Sequence, residues 1–209
     1  MKQSLGKRDL WNRITKAYEP AEIFQELDQK NFDDFTMLWK PMLARRRAEF
    51  PTWVAAAAGD AQDSHWDWID KALDARRSLL QDTFAVECAG KTQGLMLIQA
   101  PQFAKLAAHK GRDLVYVELL ATAPWNRKKL LPDPLYKGVG PMLIATAISH
   151  SHDLGSKGRL GLHSLPQSEP WYRDFAGFSD LGYDTLKEMQ YFEVTEEQAA
   201  AFLAIPGGI

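Results

Sequence analysis

Leu135-Tyr136-Lys137-Gly138-Val139-Gly140-Pro141-Met142-Leu143 lies between a strand-like run at 114–121 and a long segment of periodic apolar residues. It reads as a turn opening a helix. Gly138 and Gly140 leave backbone N–H groups unobstructed by a Cβ, and the helix behind them presents the positive end of its dipole. Such a turn suits a diphosphate. A strand-to-helix turn also takes glycine for backbone reasons alone, so the turn by itself leaves a structural and a phosphate-binding reading open.

Residues 113–121 form a strong strand, preceded by runs at 83–89 and 93–100 that read as a hairpin through Gly90-Lys91-Thr92. After the turn, Ile144, Ala147 and Ile148 carry the helix to about residue 154, with Gly155 as terminator. A short strand at 159–165, a short helix at 168–175 and a late strand at 187–194 come next, and Thr195-x-x-Gln198 is a capping box for a last helix. Upstream, Asn31 with Asp33 and Asp34 marks a helix start, and Phe35, Leu38, Trp39, Met42 and Leu43 keep helical spacing toward Phe50, where Pro51 ends it. A second helix is expected over 64–80, burying Trp68, Ile69, Ala72 and Leu73, with the alanines at 55–58 and Gly59 as connector. Residues 14–27, interrupted by Pro20, read as a first strand, and 1–13 as a loosely held arm. Strands and helices in this order imply an α/β (α+β) layer architecture in which helices cover a mixed sheet.

At 209 residues, 45% hydrophobic and 25% charged, the chain is expected to form a single domain over 1–209. A formal charge of −2 offers no global attraction to nucleic acid or to an anionic membrane, so a small molecule or a protein is the expected partner. The one cysteine, Cys88, sits in an apolar run and reads as a core residue. No stretch approaches the roughly 20 apolar residues that span a bilayer, and residues 1–9 lack an apolar signal core; the cytoplasm is the expected location.

Three segments in order carry a family resemblance. The first is the Gly138–Gly140 turn. The second is Val117-Glu118-Leu119-Leu120-Ala121-Thr122-Ala123-Pro124-Trp125-Asn126-Arg127, a strand running into a Pro-and-Arg exit. The third is Glu169-Pro170-Trp171-Tyr172-Arg173-Asp174-Phe175-Ala176-Gly177-Phe178, an aromatic-Tyr then Gly-Phe pattern with one residue more than usual. Together they resemble the GNAT superfamily of acyl-CoA-dependent N-acyltransferases over residues 83–194, with the helices of 31–80 as the acceptor-side pair. The resemblance implies a mostly antiparallel central sheet flanked by helices, and acetyl-CoA as co-substrate without a metal. Its diphosphate would lie on Lys137, Gly138, Val139, Gly140 and Met142, and its pantetheine arm along the main chain of Leu120, Ala121 and Thr122. Leu135 stands where the family has Gln or Arg, and residues 128–135 form an insertion whose Pro132 and Pro134 predict an ordered flap.

Acyl transfer to an amine needs a base and an acid for the departing thiolate. Strand alternation sets Glu118 and Tyr116 apart from Val117 and Leu119, which makes Glu118 a candidate base through water, or else an exposed or salt-bridged sheet charge. His163 on the next strand is the competing base by intrinsic pKa, with a hydrogen-bonded core histidine as its other reading. Tyr172 is the candidate acid, with aromatic packing as the alternative. His150 and His152, two apart on a helix, point to different faces and do not form a metal pair. Arg45-Arg46-Arg47, followed by Glu49, reads as a solvated helix face, and Lys128 and Lys129 as candidates for the coenzyme 3′-phosphate. Trp39, Trp53, Trp66 and Trp68 divide between core and acceptor site. The expected activity is transfer of an acetyl group to an amine of a small-molecule or protein acceptor, by direct attack in a ternary complex. A silent acyl-CoA sensor and a nucleotide-binding Rossmann-like domain are the rival readings. A homodimer is expected if Val194 and the last helix pair with a second copy.

Overall fold

The structure, a computed structural model, describes residues 2–52, 55 and 61–205. Trp53 and most of the connector at 55–59 lie outside the described residues. The expected loose arm is instead a strand, β1 (Gln3–Asn12), paired antiparallel with β2 (Ala17–Gln25) from Gln3↔Gln25 to Asn12↔Ala17. Residues 3–9 of β1 are exposed, so this strand is held by main-chain pairing and shows no hydrophobic periodicity. The strand expected over 14–27 is correspondingly shorter. Pro20 faces Asp9 just outside residues 21–25, which pair with the next strand of the sheet, so its missing N–H is tolerated.

α1 (Gln29–Asp34) begins at Asp28 rather than Asn31. The Asp28 side chain accepts the Asn31 N–H, and the Asn31 side chain accepts the Asp28 N–H at 3.1 Å. The helix widens to a π-type stretch at Phe35–Trp39 before continuing as α2 (Lys40–Arg47). The wide turn, Lys40 N–H to the Phe35 carbonyl, directly precedes Pro41, whose ring and missing N–H an α-turn accommodates poorly. The second expected helix is broken. A 3₁₀ turn (Gln62–His65) leads through extended Trp66 to α3 (Trp68–Ala75), which Asp67 caps by accepting from Ile69 and Asp70. The face of this shorter helix runs through Trp68, Ala72 and Ala75, and leaves Leu73 39% exposed.

β3 (Gln81–Cys88), β4 (Lys91–Phe103), β5 (Asp113–Thr122) and the two-residue β6 (Tyr136–Lys137) precede α4 (Val139–Asp153), β7 (Leu160–Ser164), β8 (Ser179–Asp184), β9 (Met189–Val194) and α5 (Glu196–Leu203). The sheet has the order β6-β1-β2-β3-β4-β5-β7-β9-β8, antiparallel throughout except for parallel β5 and β7. It therefore extends well beyond the expected 83–194 core. β6 and β8 escaped the sequence reading: the one is two residues long, the other has no buried residue. α1, α2 and α3 cover one face around Trp39, Trp68, Leu95 and Leu97, while α4 and α5 cover the other around Phe84, Met96, Leu143 and Phe192. Cys88 is in the core, and Thr195 and Gln198 form the reciprocal cap of α5. No helix among the described residues is long and apolar enough to cross a membrane.

Two departures from regular pairing shape the site. β5 stays with β7 only from Val115↔Leu160 to Val117↔Leu162, and beyond this the two strands separate. At the same place Leu97 pairs with Leu119 and Ile98 with Val117, so Glu118 is the extra residue of a β-bulge. The bulge reverses the facing of the rest of β5: Val117 belongs to the α4 side, Leu119 packs on the α1–α3 side and Leu120 on the α4 side. Strict alternation, the basis for grouping Val117 with Leu119, fails here for that reason.

Gly94 on β4 lets the start of α4 settle on the sheet. A Cβ at this position would lie 2.6 Å from Val139 Cγ1 and 2.9 Å from Leu143 Cδ1. The β-branched Val139 cannot swing aside freely. Gly94→Ala is predicted to destabilise the fold by about 1–3 kcal/mol, the usual cost of overpacking, measurable as a lowered denaturation midpoint at unchanged m-value.

Candidate active site

The Gly138 turn is held from three directions. Gly138 has φ +104°, a conformation glycine adopts readily. Before it, β6 pairs with β1 through Trp11↔Lys137 and Asn12↔Tyr136, and the Arg13 N–H donates to the Leu135 carbonyl at 2.8 Å. The Tyr136 N–H donates to Asn126 Oδ1 at 3.0 Å, and its hydroxyl to Glu19 at 2.5 Å. That hydroxyl and the Asn12 amide hold the Glu19 carboxyl below its usual range, while burial and Glu19 push the Tyr136 phenol up. The first N–H groups of α4, those of Val139 and Gly140, have no carbonyl a turn behind them; Pro141 has no N–H, and that of Met142 goes to the Gly138 carbonyl at 2.9 Å.

A cavity of about 620 Å³ opens in front of this turn, lined by Lys137 to Pro141, by Leu120, Ala121 and Thr122 at the end of β5, and by Trp171 and Tyr172. Among the described residues five cations face it, Arg13, Arg127, Lys128, Lys129 and Lys137, against one carboxylate, Asp63. In a chain of net charge −2 this is a concentrated positive site. A second cavity of about 320 Å³ lies on the other side of the separated strands, lined by Trp66, Tyr116, Glu118, His163 and Glu188 among others. The two share Leu120, Leu165, Ser168 and Tyr172, so they meet where β5 leaves β7.

The three candidate side chains occupy this junction and the smaller cavity. Glu118 is half-buried and accepts a hydrogen bond from Gln81 Nε2 at 2.9 Å, which leaves carboxylate lone pairs free to take a proton from water. His163 is engaged on both nitrogens: Nδ1 meets the Tyr116 hydroxyl at 2.8 Å and Nε2 meets Asp184 at 3.1 Å. Burial pushes its pKa below 6.5, outweighing Asp184, and burial together with Glu118 raises Tyr116 to about 12. This network assigns a neutral ring accepting from Tyr116 and donating to Asp184, the reading as a hydrogen-bonded core histidine. Tyr172 is 7% exposed, and burial raises its phenol, so it stays protonated. Its hydroxyl makes no hydrogen bond among the described residues.

The helical layer is fastened across the gap between the strands. Gln62 and Gln167 exchange N–H to side-chain oxygen bonds of 3.0 Å in both directions. Asp63 accepts two bonds of 2.7 Å from Arg127, and Arg127 donates twice more to the Thr122 carbonyl at 2.9 and 2.7 Å. Both side chains of the pair are nearly sealed, 6% and 4% exposed. The insertion is ordered as well: Leu130 and Leu131 fold back on the Arg127 carbonyl, the Leu135 N–H reaches the Trp125 carbonyl, and Arg46 donates to the Lys129 carbonyl at 3.0 Å. Arg46 also pairs with Glu49 on the exposed end of α2.

Of the residues singled out from sequence, Leu120, Ala121, Thr122, Lys137, Gly138, Val139 and Gly140 come together at the larger cavity, with Lys128 and Lys129 beside them. Met142 does not: its side chain is buried beneath α4 and its N–H is spent on the helix. The Thr122 carbonyl is likewise taken by Arg127. Trp39 and Trp68 are core, while Trp66 lines the smaller cavity. The extra residue of the Tyr172 segment is taken up by a π-type stretch (Trp171–Phe175), closed by the Ala176 N–H on the Trp171 carbonyl. Asp63, Gln167 and Arg13 were not legible, because each acts through a partner distant in sequence. His150 sits 3.4 Å from Asp82, and the described residues hold no cluster of three or more metal-ligating side chains.

No protein-family model matches the chain, and no curated protein matches it by sequence. Solved structures do match. The Mycobacterium smegmatis protein RimJ in complex with CoA-disulfide is 15% identical, over 96% of this chain and 94% of that one, with a TM-score of 0.50. A protein described as a candidate acetyltransferase is 12% identical over 87% and 90% of the two chains, with a TM-score of 0.53. A bacterial toxin is 13% identical over 70% and 82%, with a TM-score of 0.51. The chain thus shares its fold with these solved structures, the mostly antiparallel sheet flanked by helices that the GNAT resemblance implies.

Asp63→Ala would strand the buried Arg127 charge and release the clasp. It is predicted to cost about 3–5 kcal/mol of stability, read from denaturant unfolding. His163 gives a pH signature of the opposite kind to an ion pair. Its folded pKa lies below the ordinary 6.5, so below that pH the unfolded chain binds more protons and stability declines as the pH falls toward the folded value. His163→Gln should flatten this decline in stability measured between pH 7 and 5; an unchanged slope would contradict the neutral buried ring.

Proposed function

We propose that the chain is an acyl-CoA-dependent N-acetyltransferase in which an amine attacks the thioester directly, within a ternary complex. The observation that supports this reading is the meeting of two unlike cavities at Leu120 and Tyr172: one is cationic and backed by a helix N-terminus, the other is lined by the carboxylates of Glu118 and Glu188 with one cation, Lys187. The first suits the phosphates of a coenzyme and the second an amine, and the fold is one in which RimJ holds CoA-disulfide.

The chain's own groups supply the chemistry. The main chain of Leu120, freed from β7, can bond the pantetheine arm or polarise the thioester carbonyl, and the Val139 and Gly140 amides can hold the diphosphate. Glu118 takes the ammonium proton through water, since a carboxylate is a weak direct base for an amine. As the amine nitrogen bonds to the carbonyl carbon and the C–S bond breaks, Tyr172 donates its proton to the departing thiolate; the second nitrogen proton passes to solvent water, which reprotonates Tyr172, and the proton held by Glu118 is released to solvent. His163, bound at both nitrogens, holds Tyr116 and is set aside as the base. The acceptor is a small molecule or a protein bearing an amine.

The test is release of free thiol from acetyl-CoA by the purified protein across a panel of amines. Amine-dependent release supports the reading; tight coenzyme binding with no release for any amine favours the sensor. In the active case, Glu118→Gln and Tyr172→Phe should each lower kcat about 100-fold, the scale of one acid–base group. Coenzyme affinity should be nearly unchanged, and Tyr172→Phe should alter stability by no more than about 0.5 kcal/mol, because its hydroxyl bonds nothing within the described chain.

A further inference from the structure

The cations of the larger cavity are not equivalent. Arg127 is satisfied by Asp63 and the Thr122 carbonyl, and Lys137 lies exposed on β6. Arg13, directly after β1, is fixed in its main chain, while its side chain has no hydrogen-bond or ion-pair partner among the described residues. Its N–H is bound to the Leu135 carbonyl, and Asn12 Oδ1 accepts the N–H groups of Ile14 at 2.9 Å and Thr15 at 3.1 Å, shaping the turn into β2. Asn12 is itself tied to Glu19 at 2.7 Å, and Glu19 to the Tyr136 hydroxyl. The backbone that carries Arg13 is therefore anchored to the residues leading into the Gly138 turn.

Among the described residues the guanidinium has no corresponding partner. Arg13 Nε is buried without a hydrogen bond, and the side chain makes no ion pair among the described residues. Glu19, the carboxylate bonded to the Asn12 turn, is already occupied by Tyr136 and Asn12. A buried guanidinium N–H lacking an acceptor is costly, and buried polar groups rarely remain so. Leu135, joined to Arg13 through its carbonyl, brings no polar side chain to the turn.

Resting on the acyl-CoA reading, we infer that Arg13 binds the diphosphate of the coenzyme, reaching across from the β1–β2 hairpin to the Gly138 turn. The hairpin is then a wall of the coenzyme site, and Arg13 sets affinity for the phosphorylated part of the ligand while touching neither the thioester nor the amine.

Calorimetric titration of wild type, Arg13→Gln and Arg13→Lys with CoA and with dephospho-CoA, which lacks the 3′-phosphate, tests this. Arg13→Gln is expected to weaken both ligands alike, by about ten- to hundredfold, the size of a lost charge-assisted bond, and Arg13→Lys to recover part of the loss. Equal affinity of wild type and folded Arg13→Gln for CoA would overturn the inference. So would a loss confined to CoA, which would put Arg13 at the 3′-phosphate. Should Arg13→Gln fail to fold, Arg13→Lys carries the test, with a several-fold loss for both ligands expected and no loss contradicting it. A wild-type protein that binds neither ligand would instead remove the acyl-CoA reading itself.

Discussion

Beyond Val117, β5 keeps β4 on one side and loses β7 on the other. A strand edge opened inside a sheet leaves main-chain groups facing a gap, and such groups need partners. The two cavities of the candidate site are arranged around that gap. The Glu118 bulge turns a carboxylate toward one mouth, Leu120 marks the floor, and Tyr172 and Ser168 reach in from the segment after β7. The α4 N-terminus, brought close by the absence of a side chain at Gly94, stands behind the other mouth.

An open seam of this kind is a liability unless something spans it. Here the span is made of buried polar pairs: the reciprocal amides of Gln62 and Gln167, and the Asp63–Arg127 pair bonded on to Thr122. Buried charges cost several kcal/mol each to desolvate, so such a pair is weak evidence for net stability. Its directional bonds do define one position for the 62–65 turn relative to the end of β5. The same contacts keep the two cavities distinct while leaving them joined at Tyr172.

Much of the architecture was written in local pattern. The β3–β4 hairpin, β5, α4 and the Thr195 cap are strong because their apolar spacing, turn glycines and capping residues agree with one another. What escaped was held by distant contacts. β1 exposes a polar face and exists through its pairing with β2; the π-type stretches answer to Pro41 and to the extra residue of the Tyr172 segment; and the bulge at Glu118 appears only when β4 is laid beside β5. The site divides in the same way. The glycine turn and the β5 end were legible because they carry backbone chemistry at fixed spacing. Arg13 and Asp63 were not, since each becomes meaningful beside Leu135 or Arg127, far along the chain.

On the proposed acyl-CoA function, one ligand threads the seam, with its phosphates at the Gly138 turn and its thiol at Leu120 and Tyr172. A crystal structure of the protein with coenzyme A tests this directly. Diphosphate oxygens on the Val139 and Gly140 amides and the sulfur within hydrogen-bond reach of the Tyr172 hydroxyl are the expected result. Coenzyme bound elsewhere, or with its sulfur turned away from Tyr172, would contradict it.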